Sequence, residues 1–139
     1  MTDQERNICQ VASAALLGFS RLGFVVFITT PALFILLQHK EVELFHMIAI
    51  AVFLVSVCIV ALKSWHIYFD ALLFKTLGLG TAGIGEIDLL LLKVFKKDIQ
   101  GKPLTERIDA CYALSRKLFI LVGVHVLLFI SILIYLLNT

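Results

Sequence analysis

The stretch Leu118–Leu137, LFILVGVHVLLFISILIYLL, is twenty residues long and decides the fold class. Its strongly polar members are His125 and Ser131. A helix rises about 1.5 Å per residue, so about twenty apolar residues cross the roughly 30 Å hydrocarbon core of a bilayer. The stretch therefore predicts a membrane-spanning helix.

Two more apolar stretches precede it. Residues 44–62 contain no acid or base except His46, and residues 22–38 follow directly after Arg21. A charge at mid-bilayer costs about 2.5 kcal/mol or more, whereas an Arg at a helix end can extend to the interface. We therefore favour a first span that begins near Leu22, with residues 1–20 as a helix on the membrane surface. The alternative is a tilted helix from about Val11 with Arg21 paired inside a bundle.

The composition supports lipid as the solvent. The 139 residues are 60% hydrophobic and 16% charged, with a mean hydropathy of +1.01, whereas soluble domains are about 25% charged. We expect an all-α integral membrane protein with three transmembrane helices, forming one membrane domain over residues 1–139. The expected spans are 22–38, 44–62 with an extension to about 77, and 118–137.

The basic residues predict the orientation. Nine of the twelve Lys and Arg residues lie between Lys63 and Lys117, and Lys and Arg concentrate in cytoplasmic loops. This places the N-terminus and the connection 63–117 in the cytoplasm and the C-terminus outside, in a plasma or inner membrane. The net charge is only +2, so charge gives no reason to expect a nucleic-acid partner.

The connection 63–117 has its own pattern. Four glycines predict a hinge after a helical extension: Gly78, Gly80, Gly83 and Gly85. Three of them fit G-x-G-x-x-G, but no strand precedes them, so nucleotide binding is not indicated; close helix packing is an alternative to the hinge. Residues 86–99 carry Leu on one side and Lys on the other, which is typical of a helix in the headgroup plane. We expect a cytoplasmic amphipathic layer here.

Polar residues within or beside the spans are candidates for function. They are Arg21, His66, Asp70 and His125. His66 and Asp70 are four residues apart, so one helix face can pair them. An imidazole ring inside a membrane span indicates a functional role by default. For His125 the alternative is a packing role with a hydrogen bond to a Ser or Thr hydroxyl. Pro31 is a candidate hinge, and the hydroxyls of Thr29 and Thr30 can bind backbone groups that it leaves free.

The basic candidates for contact with anionic lipid or with a partner chain are Lys93, Lys96, Lys97, Lys102, Arg116 and Lys117. The acids of the connection are mixed with these bases, which is more typical of a solvated surface than of a paired-carboxylate site. The histidines lie at different predicted depths, so they do not predict an axial haem pair. We assign no catalytic, cofactor-binding or metal-binding residue.

The function predicted from these features is a non-enzymatic component of a larger membrane assembly, structural or in transport. We expect a homo-oligomer or a complex with other membrane subunits, because three helices form a small core for buried polar groups. Three other classes stay open: a small channel or holin-like pore, a membrane-embedded enzyme that modifies lipid, and a small immunity or exclusion protein.

Overall fold

The computed structural model describes residues 1–37, 44–95 and 102–138. Its elements are α1 (Asp3–Arg21), a 3₁₀ turn (Leu22–Phe24), α2 (Val25–Leu37), α3 (Leu44–Leu79), α4 (Ile84–Phe95) and α5 (Leu104–Asn138). Three helical segments are long and apolar enough to cross a membrane: Asp3–Ile35, Met47–Leu79 and Leu104–Asn138. The prediction of an all-helical chain with three such helices is confirmed.

The first helix begins at a capping box. The hydroxyl of Thr2 accepts a hydrogen bond from the backbone N–H of Glu5 at 3.2 Å, and the Glu5 carboxylate accepts one from the Thr2 N–H at 2.7 Å. Both bonds satisfy donors that the first turn of a helix leaves free. The sequence therefore starts α1 at the N-terminal end of the chain, well before the predicted span.

The 3₁₀ turn links α1 to α2, and both run antiparallel to α3, while α2 also packs against α5. The partners progress steadily along α3: Gln10 bonds to Gly78, Ser13 bonds to Ala71, Gly23 lies against Ser64, and Leu33 shares a cluster with Phe53. Residues 1–20 therefore pack along α3. The favoured interpretation of a separate surface helix is not what the structure shows, because small residues let the two backbones approach closely.

The core follows a heptad pattern. On α3, the buried residues Phe53, Val60, Ile67 and Phe74 are seven apart. On α5, buried residues recur at spacings of three, four or seven: Ser115, Leu118, Val122, His125, Ile132 and Leu136. Such spacing keeps one side of each helix on a shared seam, as in coiled coils. The bundle is therefore continuous along the whole length of the long helices.

The exterior changes character about halfway along the bundle. Residues 22–37, 44–62 and 118–138, the apolar half, expose Phe, Ile, Leu, Val and Met. The remaining described residues form the polar half. At the boundary lie Arg21, Lys63, Trp65, Arg116 and Lys117, which we call the belt. Of these, Lys63 is partly buried and the other four are exposed.

Helix register places the belt at one level. Gly23 lies against Ser64 of α3, and His125 of α5 bonds to Ser56. Lys117 is eight residues before His125, and Ser64 is eight residues after Ser56 on an antiparallel helix. Equal rise per residue then puts Lys117 level with Ser64. Basic residues from all three long helical segments thus surround the bundle at one height.

Candidate functional site

His125 is the polar centre of the apolar half. Its side chain is completely buried. The Nε2 atom lies 2.9 Å from the hydroxyl of Thr29 on α2, and Nδ1 lies 2.7 Å from the hydroxyl of Ser56 on α3. The ring of Phe53 packs on the imidazole with centroids 4.7 Å apart. One side chain of α5 therefore joins two other helices.

The two hydroxyls are also bonded to their own helices. Thr29 Oγ1 lies 3.0 Å from the carbonyl oxygen of Val25, and Ser56 Oγ lies 2.6 Å from that of Phe53. Each hydroxyl has a single hydrogen, so with a neutral imidazole one hydroxyl accepts from the ring N–H, and the other donates to the bare ring nitrogen in place of its helix carbonyl. The arrangement matches the packing alternative for His125. It fixes the relative positions of α2, α3 and α5.

The pairing of His66 with Asp70 stays a prediction. Asp70 accepts a hydrogen bond from the thiol of Cys111 on α5 at 3.4 Å, and it is partly buried. His66 is exposed. The Cys111 contact joins Asp70 on α3 to α5.

A buried ion pair holds α4 to α5. The guanidinium of Arg107 binds the Asp88 carboxylate through both terminal nitrogens, with Nη2 3.0 Å from Oδ2. The side chains are only 11% and 9% exposed. Sequence reasoning missed this pair by grouping Asp88 with solvated acids. The available signal was its position beside Ile87 and three residues before Leu91, both buried.

The glycines have different roles. Gly80 has φ +69°, and the Gly80 and Thr81 N–H groups bond to the carbonyls of Leu77 and Thr76, which is the Schellman pattern that ends a helix. A Cβ on Gly78 would lie 2.7 Å from the Gln10 side chain. Gly78 is therefore a point of close packing within α3.

The remaining hinge candidates also lie in different settings. Gly85 lies inside α4, so the break between helices comprises residues 80–83. Pro31 lies inside α2, which continues through it. The Thr30 hydroxyl donates to the carbonyl of Val26 at 2.6 Å.

The basic candidates do not converge on one site in the described part of the chain. Lys93, Lys102, Arg116 and Lys117 are exposed on α4, at the start of α5 and in the belt. Lys102 binds Glu106 at 2.8 Å. Lys96 and Lys97 lie outside the described residues. The contact role of these side chains therefore stays a prediction.

Exposed apolar residues continue along α3 beyond the belt. Trp65 and Tyr68 are followed by Leu72 and Leu79, which are 37% and 59% exposed. The spacing of three, four and seven puts these four residues on one helix face, which we call the α3 stripe. The exposed Lys75, three residues after Leu72 and four before Leu79, lies on the same face as the two leucines. Exposed apolar residues grouped in this way mark interaction surfaces.

An apolar groove opens near the other end of the bundle. It has a volume of about 330 Å³ and is lined by residues of α2, α3 and α5 that include Ala49, Leu128 and Ile132. Among the described residues, no group of three or more His, Cys, Asp or Glu side chains is arranged to hold a metal ion.

No protein-family model, no curated protein and no solved structure matches this chain.

Proposed function

We propose that the chain is an integral membrane protein whose belt lies at the cytoplasmic interface. The supporting observation is length. From the belt, α3 extends nineteen residues to Leu44 and α5 extends twenty-one residues to Asn138, or about 29 and 32 Å. These lengths match the roughly 30 Å of a bilayer core. The positive charge of the belt supports a cytoplasmic position for the N-terminus and α4, because Lys and Arg concentrate on that side.

In this position the polar half projects from the membrane. The sixteen residues that follow Lys63, up to Leu79, extend α3 by about 24 Å beyond the belt. Arg116 and Lys117 remain at the interface, where each basic side chain gains about 1 kcal/mol from anionic lipid. The polar half is therefore available to other proteins in the cytoplasm.

The proposed function is that of a non-enzymatic subunit of a larger membrane assembly, joined through the α3 stripe to a helix of another chain. The α3 stripe carries the proposal. Leu72 lies about 14 Å and Leu79 about 24 Å from the level of Lys63, below the reach of lipid tails. Their exposed surface would meet water unless another protein covers it, and heptad spacing suits a helical partner.

The test is purification of the full chain from native membranes in mild detergent, followed by native mass spectrometry. The wild type is expected to run as a complex. The double variant Leu72→Lys and Leu79→Lys is expected to lose the partner chains. Co-expression of two differently tagged copies then shows whether the partner is a second copy or another subunit.

A matched control uses Ala110→Lys and Ala113→Lys on α5. Both alanines are exposed in the polar half, so the change in charge is the same as in the α3 stripe variant. This control is expected to keep its partners. A wild type that is monomeric and retains no other chain contradicts the proposal. The pore, enzyme and immunity classes remain predictions without a supporting contact among the described residues.

A further inference from the structure

We propose that the α3 stripe binds a transmembrane helix of a different protein, and that this helix carries an acidic residue opposite Lys75. The inference rests on the proposed function, which joins the α3 stripe to a helix of another chain. It adds the chemistry of the partner and argues that the partner is not a second copy of this chain.

Lys75 places a positive charge between the two leucines of the α3 stripe. The residues Leu72, Lys75 and Leu79 lie on one helix face, and all three are exposed. Among the described residues, no acidic side chain forms an ion pair with Lys75. A helix packed on this face lies close to the ammonium group, where a carboxylate supplies the opposite charge. Charge complementarity therefore favours a partner helix with Asp or Glu at this level.

A symmetric pair of identical chains would put like charges together. Two copies that enter the membrane in the same orientation are related by a rotation about the membrane normal, which leaves each residue at its own height. Their α3 stripes would meet as parallel helices, with Lys75 against Lys75 of the second copy. Like charges in such a position disfavour the contact. The α3 stripe therefore fits a different chain better than its own copy.

A head-to-tail contact with a second copy would offer Lys75 an acid that already has a partner. Lys75 lies eleven residues beyond Ser64 on α3, and Glu106 lies eleven residues before Lys117 on α5. Because the two starting points are level, the two side chains have equal heights. Glu106 is bonded to Lys102 of its own chain at 2.8 Å. An acid on another protein therefore suits Lys75 better.

The exposed face of α3 continues from the α3 stripe into the apolar half. The same alternation of three and four residues leads to the partly buried Ala61 and to the exposed residues Cys58, Leu54, Ala51 and Met47. Alanines let a second helix approach closely in lipid. The thirty-two residues that follow Met47, up to Leu79, correspond to about 48 Å of helix. The partner helix can therefore follow α3 from the bilayer into the cytoplasm.

A carbodiimide tests the pairing of charges directly. This reagent joins an amine to a nearby carboxylate as an amide, and it takes up the water that is lost to become a urea. The full chain is treated in native membranes, and crosslinked peptides are identified by mass spectrometry. We expect a product that joins Lys75 to an Asp or Glu in a helix of another membrane protein. A crosslinked dimer of this chain overturns the proposal.

Charge variants of the full chain test the role of Lys75. Lys75→Glu is expected to lower the amount of co-purified partner about fivefold or more, because it places like charges together. Lys75→Arg keeps the charge, so it should retain the partner while it loses the carbodiimide product. Lys93→Glu makes the same change of charge at an exposed residue of α4. It is the matched control and should retain the partner.

The carbodiimide product also supplies a rescue. Replacement of the crosslinked acid on the partner by Lys is expected to restore binding to Lys75→Glu, and helical circular dichroism shows that this variant is folded. A monomeric wild type contradicts the assembly role itself. A complex that forms through the α3 stripe but is left intact by Lys75→Glu overturns only the acid opposite Lys75.

Discussion

The Nδ1 atom of His125 on α5 lies 2.7 Å from the hydroxyl oxygen of Ser56 on α3, while that hydroxyl also lies 2.6 Å from a carbonyl oxygen of its own helix. Thr29 repeats this double contact on α2. The imidazole is thus held between two hydroxyls that each have a second partner. Substitutions at His125 can therefore separate the contribution of the ring to the free energy of unfolding from that of the two hydroxyls.

Replacement of His125 by Ala is expected to lower the free energy of unfolding by about 2 to 4 kcal/mol, because it leaves a cavity the size of the ring. Both hydroxyls keep their helix carbonyls, so they add little to the loss. His125→Leu fills most of the space and is expected to cost less than about 1.5 kcal/mol. Unfolding in detergent followed by circular dichroism measures both. If His125→Leu is stable but loses partner chains, the ring has a role beyond packing.

Gly23→Ala is expected to destabilise the bundle by about 1 to 3 kcal/mol, as overpacked contacts do. The added Cβ would lie 2.2 Å from the Ser64 hydroxyl oxygen and 2.6 Å from its Cβ. Gly18→Ala is the control, because a Cβ there meets nothing within 4 Å and raises helix propensity. The melting temperatures of Gly23→Ala and Gly18→Ala in thermal unfolding give the comparison. Ser64→Gly should rescue Gly23→Ala, and an absence of rescue would show that this contact is not the cause.

Gly80→Ala is expected to cost about 1 to 2 kcal/mol, since an L-residue is strained at positive φ. Gly80 has φ +69° at the end of α3. Gly85→Ala lies in the first turns of α4 with open space around it, and it should be neutral or slightly stabilising. The melting temperatures of the two variants give the comparison. Equal melting temperatures would contradict the role of Gly80.

Cysteine labelling tests the level of the belt. In the structure Leu127 is 66% exposed and Ile8, in the polar half and outside the α3 stripe, is 41% exposed. A bilayer around the apolar half should reverse this order towards a water-soluble maleimide, because thiolate forms poorly in lipid. We expect Ile8→Cys in opened membrane vesicles to react much faster than Leu127→Cys, above the wild-type background. Faster reaction of Leu127→Cys would place the apolar half outside the bilayer.

The number and type of the long helices could be predicted, because each contains about twenty apolar residues in succession. The partner of α1 could not be predicted from hydropathy alone. Its seam consists of small residues such as Cys9, Ala12 and Ser13, which hardly contribute to an apolar pattern. Small residues favour close helix packing by shape, and a hydropathy average does not register shape.

In the apolar half, sequence reasoning recognised His125 but not its partners. Lipid-facing and core residues are equally apolar there, so hydrophobicity does not show which side of α2 or α3 faces α5. On α5, the spacing of three and four residues through Leu118, Val122 and His125 does show which side of the helix faces the core. The Asp88–Arg107 pair joins residues nineteen positions apart, and local charge patterns do not predict such pairings.

The shared seam of the long helices has a consequence for the height of the bundle above the membrane. Seven residues inserted into α3 between Ser56 and Ser64 would shift every contact of α3 in the polar half by about 10 Å along the helix axis. Gln10 would then face the wrong turn of α3, and Asp88 of α4 would move away from Arg107 of α5. The helix lengths thus set the distance between the lipid surface and the far end of the polar half. Sequence changes can alter this distance only by lengthening all three helices together.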